Sequence, residues 1–275
     1  MSKYMIINDL SEAEEAKLYN NLPPDIYNYV KVADMVNANW QLFFDVANCV
    51  GITRSNDTVS LLEARDIAVL GFESTTEDYV QTAYVVEDLS VVERRDIDIV
   101  NARFHNTPLY ILDTERCIVR EHSVDDYEAI CDIYSDEAMT EYIEPLFEPE
   151  EERRYLQQYI DNIYKYFDFG LWLIVDKEDN NVIGRAGVEI RDTCFEDGQV
   201  ELSYQVKKDY QNRGIATEVC KAIVEYTFAV LKMKTIIARV DEGNLASIKV
   251  IDKLGFRNLG DGKYIRKKND SSGHR

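Results

Sequence analysis

Apolar and polar positions follow one rhythm in the first 110 residues and another beyond them. In the first part, short apolar runs at 49–54, 67–72 and 83–88 read as strands, with a helix at 57–64 opening near an Asn/Asp cap. Strand, helix, strand in that order predicts a parallel βαβ unit, and residues 89–92 begin a further short helix. A turn at 105–108 closes this stretch. Beyond it, 115–121 reads as a strand, and Ser123 caps an acidic first turn of a helix reaching Tyr134. A second helix over 149–166 carries Tyr155, Tyr159, Ile163 and Tyr166 along one side. Strands at 171–176, 182–191 and 199–206 follow. Val219, Ile223, Tyr226 and Val230 then recur at helical spacing within 215–231, before a strand at 235–240. Asn244 caps a last helix that Gly255 ends, with Phe256 placed to pack back on the final turn. The fold class predicted is α/β: a mixed sheet flanked by helices over 111–275, preceded by a small parallel α/β module over 1–110.

Composition narrows the function classes. A chain of 275 residues, 45% hydrophobic and 30% charged, has the make-up of a folded protein of about two domains. Its net charge of −20 argues against gripping nucleic-acid backbones, where Lys and Arg must neutralise phosphates, and against anionic membranes. The same charge draws in a cationic or amine-bearing acceptor. Five scattered cysteines without a C-x-x-C pair indicate neither a disulfide frame nor a zinc site. With no apolar run near the ~18 residues of a spanning helix, the expected location is the cytoplasm. Oligomeric state is not encoded in any of these features.

The chemistry concentrates at 204–217. There a strand runs into a short loop, Gln211-Asn212-Arg213-Gly214-Ile215-Ala216, that opens the helix over 215–231, with Thr217 in its first turn. Small residues let backbone approach a ligand, and free amides at the positive end of a helix suit a pyrophosphate. Together with the Asn244 to Phe256 motif, this loop resembles the cofactor-binding half of the GCN5-related N-acetyltransferase (GNAT) family over residues 112–267. The details are most similar to its ribosomal-protein N-acetyltransferase-like members, including the Thr114-Glu115-Arg116 opening of the first strand.

The resemblance implies acetyl-CoA as cofactor, direct transfer of its acetyl group to a primary amine in a ternary complex, and no metal. The acceptor so implied is a protein N-terminus, a polyamine or another small amine. Gln205 and Val206, at the strand end, would offer backbone to the pantetheine arm; Gln211, Asn212, Arg213, Gly214, Ile215, Ala216 and Thr217 would cradle the pyrophosphate; Asn244 and Ser247 would touch the same arm. Glu201, sharing a strand face with Ser203 and Gln205, matches the family's base, with pairing to a neighbour such as Arg185 as its structural alternative. Many relatives place a tyrosine as general acid where Ile251 stands here. Ser247 is then the candidate donor to the leaving thiolate. Tyr142, Glu144, Phe147, Trp172 and Glu189 are candidates for the acceptor pocket, because aromatics and carboxylates suit an amine. A noncatalytic acyl-CoA-binding sensor is the alternative.

Residues 1–110 faintly resemble a truncated haloacid-dehalogenase-like domain. The Asp-x-Asp nucleophile of that family has no counterpart, since Asp34 and Asp45 lack a flanking strand. A noncatalytic docking or regulatory surface is expected.

Overall fold

Met5, Ile6 and Ile7 are buried in a strand, β1 (Lys3–Asn8), that the sequence pattern does not reveal. The computed structural model describes residues 3–33, 45–75, 79–192, 194 and 196–268, and divides into two units, Met1–Leu109 and Tyr110–Arg275. In the first unit β1 is flanked by β2 (Tyr27–Lys31) and β3 (Cys49–Thr53), followed by β4 (Ala68–Phe72) and β5 (Tyr84–Val86). Every pairing is parallel, in the order β2-β1-β3-β4-β5. Every residue of β3 and β4 is buried, as a parallel sheet covered on both faces requires. On one face Met5, Ile7 and Ile52 pack with Leu18 of α1 (Glu12–Asn21) and Ile97 and Val100 of α3 (Arg94–Phe104). On the other, Ile6, Cys49 and Val69 pack with Val59 and Leu62 of α2 (Asn56–Glu63).

These elements place the aspartates of this unit. β1 runs directly into Asp9, which takes a left-handed backbone at φ 56°. Asp45 precedes a single 3-10 turn, and Asp34 lies outside the described residues.

The second unit holds an eight-stranded sheet in the order β12-β13-β11-β10-β9-β8-β7-β6. Its strands are β6 (Tyr110–Asp113), β7 (Cys117–Arg120), β8 (Leu171–Asp176), β9 (Val182–Glu189), β10 (Gln199–Val206), β11 (Thr235–Arg239), β12 (Arg257–Gly260) and β13 (Lys263–Lys267). The edge strand β6 and the closing hairpin β12–β13 extend the predicted order at both ends. All neighbours are antiparallel except β10 and β11, which run parallel. Side-chain alternation sorts the two faces. Leu173 and Val175 of β8 pack under α4 (Tyr127–Ile133) and α5 (Pro149–Tyr159), while Trp172, the residue before Leu173, turns to the other face and meets Tyr226 of α6 (Ile215–Ala229) edge-on at 5.9 Å. Among the described residues no helix is long and apolar enough to cross a membrane.

Helix α5 does not continue regularly. Its backbone widens into a π turn over Ile160–Tyr164 before one more turn, Lys165–Phe167. Five α-helical residues rotate through about 500°, which would set Tyr159 and Tyr164 about 140° apart. The wider turn brings both inward. The expected stripe is corrected accordingly: Tyr164 is fully buried, and Tyr166 is 79% exposed.

Candidate active site

The parallel pair β10–β11 holds register only from Gln199↔Thr235 to Glu201↔Ile237. Beyond Glu201 the strands diverge, although β10 stays paired with β9 as far as Val206↔Gly184. One edge of β10 is thereby left open from Leu202 to Val206. An open cleft of 480 Å³ starts at this divergence, lined by Tyr204, Gln205 and Val206, the loop before α6, and the first turns of α7 (Leu245–Lys253). Asn212 and Gly214 both take left-handed backbone, at φ 59° and 81°, which turns the loop sharply into α6. Gly214 carries no side chain to cap that helix, and the first intrahelical bond starts at Glu218, so the amides of Ile215, Ala216 and Thr217 have no partner from within the helix. Asn244 caps α7, accepting from the Ser247 amide at 3.0 Å, and Tyr204 Oη donates to the Ser247 carbonyl at 3.1 Å.

On the α4/α5 face of β9 and β10 lies a second, largely buried group of polar residues. Tyr159 Oη donates to Glu189 Oε1 at 2.6 Å, and Arg191 pairs with the other oxygen of Glu189 at 2.6 Å. Glu201 stands opposite Glu189 in the ladder and is buried. Arg185 stands opposite Gln205, four positions from Glu189 and so about 13 Å along the strand. Register thus separates Arg185 from Glu201. Gln205 Nε2 donates to Tyr134 Oη at 2.7 Å. His122 Nδ1 lies 2.8 Å from Tyr164 Oη, and burial, reinforced by the nearby Arg185, lowers the His122 pKa to about 3. Burial likewise raises the Tyr159 and Tyr164 hydroxyls well above their ordinary value.

The cleft gathers Gln205, Val206, Gln211, Asn212, Gly214, Ile215, Ala216, Thr217, Asn244, Ser247 and Tyr142. Arg213 stands outside its lining, with its guanidinium 5.1 Å from the Tyr210 ring and its carbonyl accepting from Arg116 Nη1 at 3.0 Å. Glu144 is an exposed loop residue, and Phe147 is half exposed against Tyr155 at 5.5 Å. Trp172 corrects one expectation. With no exposed surface and its ring on the α6 face, it belongs to the core and not to an acceptor pocket on the α4/α5 face. Ile251 is also fully buried.

The sequence profile of the acetyltransferase (GNAT) domain matches residues 116–257, just over half the chain. The chain belongs to the GNAT acetyltransferase family. The uncharacterized N-acetyltransferase p20 of Bacillus licheniformis is 29% identical over 149 residues, 54% of this chain and 82% of its own. The uncharacterized N-acetyltransferase YnaD of Bacillus subtilis is 28% identical over the same shares. A GNAT-family acetyltransferase of Bacillus anthracis superposes with TM-score 0.51 at 22% identity, covering 59% of this chain and all of the other. A ribosomal-protein-S5-alanine acetyltransferase of Vibrio fischeri does so with TM-score 0.50 at 20% identity, over 58% and 97%. These two share the fold. The protein is an N-acetyltransferase, and acetyl-CoA is the co-substrate of its family.

The cleft suits that co-substrate in two respects: amides free for an anion at one end, and an open strand edge at the other. Sequence reasoning missed what holds this GNAT loop in place. Arg116 binds Glu218 of α6 through its backbone amide at 2.9 Å and its Nε at 2.7 Å, and also holds the Arg213 carbonyl. Gln211 spends its side-chain amide on the Val206 carbonyl at 2.9 Å, tying the loop to the strand it leaves. Lys208, Lys249 and Lys253 add cations to the lining. Spacing alone carries no signal for Arg116, because its partners lie 97 and 102 residues away.

Proposed function

We propose that the protein transfers the acetyl group of acetyl-CoA to a primary amine by direct attack within a ternary complex. The observation that carries this reading is one cleft joining an open strand edge to the uncapped start of α6. Bound acetyl-CoA supplies an activated acyl group as its thioester. The amides of Ile215, Ala216 and Thr217 would hold the pyrophosphate, with Arg213 and Asn212 shaping the loop. The freed edge at Gln205 and the capped turn at Asn244 would align the pantetheine arm. Tyr142, exposed at the rim, and Glu189, inside the polar group, would contact the amine; Glu144 and Phe147 would contribute only from the outer loop.

An amine must lose its proton before attack. Glu201 is the base of this proposal, reached through water since it is buried and does not line the cleft. An α-amine with a pKa of about 8 needs little help, and a lysine amine near 10.4 needs more. Ser247 is the donor to the departing sulfur: it lines the cleft, and its backbone is fixed at both amide and carbonyl. Incubating the protein with acetyl-CoA and amines drawn from peptides, polyamines and small molecules should release free CoA only with the right acceptor. Tight acetyl-CoA binding with no turnover on any amine would instead mark a sensor.

A further inference from the structure

Four N–H donors of Arg116 end on the two sides of Gly214. In the turn between β6 and β7, Arg116 donates its backbone amide to Glu218 Oε1 at 2.9 Å, brings Nε and Nη2 each within 2.7 Å of Glu218 Oε2, and donates Nη1 to the Arg213 carbonyl at 3.0 Å. The turn that carries it is itself anchored. Its Arg116 carbonyl accepts from the Lys177 amide at 2.9 Å, and Lys177 Nζ pairs with Asp113 at 2.7 Å. With 44% of the Arg116 side chain exposed, an ion pair of this kind contributes little to folding. Its place beside the cofactor loop says more.

Glu218 is the acidic residue in the first turn of α6, four positions past Gly214. Helical side chains lean back toward the N-terminus, so a carboxylate here leans toward the start of its own helix. A negative charge is favoured there, and a carboxylate in the first turn commonly serves the free amides of the helix start. In α6 it does not. The amides of Ile215, Ala216 and Thr217 have no capping side chain, and both oxygens of Glu218 are engaged by Arg116 instead. Burial alone would favour protonated Glu218, but hydrogen bonds from Thr114 and Arg116 and the guanidinium charge outweigh it and lower its pKa. The carboxylate is therefore ionised at neutral pH. Left uncompensated, that charge would oppose a pyrophosphate arriving at the same helix start.

We propose that Arg116 is a positioning residue for acetyl-CoA, which holds the Gly214 turn and neutralises Glu218, a carboxylate that otherwise opposes the pyrophosphate. This rests on the reading above that places the pyrophosphate at the start of α6. It assigns the pair a role in affinity for the co-substrate and none in the acetyl-transfer step.

Calorimetry with acetyl-CoA and the full chain tests it. Arg116→Ala should bind acetyl-CoA about fivefold more weakly, with a melting temperature close to wild type. Adding Glu218→Gln to that variant should return the affinity to within about twofold of wild type, because the uncompensated charge is gone. Arg116→Lys, which keeps the charge without the planar fork, should fall between wild type and Arg116→Ala. A purely structural tie gives the opposite order, since the double variant has lost both ends of the link and should bind no better than Arg116→Ala. That result, or wild-type affinity in Arg116→Ala, would overturn the assignment and leave the cofactor site standing. Should Arg116→Ala fail to fold, the comparison of Arg116→Lys with and without Glu218→Gln decides in the same way. A wild-type protein that binds no acetyl-CoA would overturn the underlying reading as well.

Discussion

His122 is kept neutral by burial, and this sets a pH limit on stability. Its folded pKa of about 3 lies below the ordinary value of 6.5, so the unfolded chain binds the extra proton first as pH falls. Stability present above pH 6.5 is therefore lost progressively toward pH 3. Between pH 7 and pH 5 this one residue should cost about 2 kcal/mol. Urea titrations should show that His122→Gln, whatever its stability at pH 7, loses that much less over the same interval; equal slopes would mean the ring is not held neutral. At Glu201 the expectation concerns rate. Glu201→Gln should lower kcat by at least about tenfold near neutral pH, leave acetyl-CoA affinity unaltered in calorimetry, and recover as pH approaches the amine pKa. A pH–rate profile identical to wild type would move the base role to Glu189 or water. Ser247→Ala should cost less, about tenfold or below.

At the scale of elements, the loop before α6 is the part of the site that sequence discloses best, because its requirements are local. Left-handed backbone at Gly214 and a helix start without a capping side chain leave a mark in residue types. The Asn244 cap and the Gly255 end of α7 are legible for the same reason. The π turn is not, since Ile160–Tyr164 has ordinary helical composition and the extra residue is accommodated by packing. Nor are β1 and α1: α1 buries only Leu18, too little to make an amphipathic stripe. Pairings across the sheet, such as Arg185 with Gln205, depend on register that no single segment contains. Two substitutions probe the loop. At Gly214 an added Cβ would find its nearest neighbour, Arg116 Nη2, at 3.7 Å, so room exists and the backbone conformation is the constraint. Gly214→Glu should cost about 1–2 kcal/mol in stability and, by placing a carboxylate beside the anion site, weaken acetyl-CoA binding more than tenfold. Arg116→Ala should weaken it less, by releasing the loop from α6. Wild-type affinity in both folded variants would remove the loop from cofactor binding.

For the whole molecule, each unit closes its own core. The first packs both faces of a five-stranded parallel sheet, and the second buries α4 and α5 on one face of its own sheet. Every residue of the cleft lies between 139 and 253, inside the second unit. p20 is matched over 82% of its length by only 54% of this chain, so the catalytic fold needs no counterpart of the whole. A fragment comprising residues 110–275 should therefore unfold in one cooperative transition and keep kcat and acetyl-CoA affinity within about twofold of the full chain. If it instead aggregates or loses activity, residues 1–109 contribute to the stability or the chemistry of the second unit, and the docking surface expected of them acts within the chain. If the fragment behaves as stated, any regulation by the first unit requires a separate partner. The parallel sheet with Asp9 at the end of β1, one strand in from its β2 edge, is then the place to look for that partner's contact.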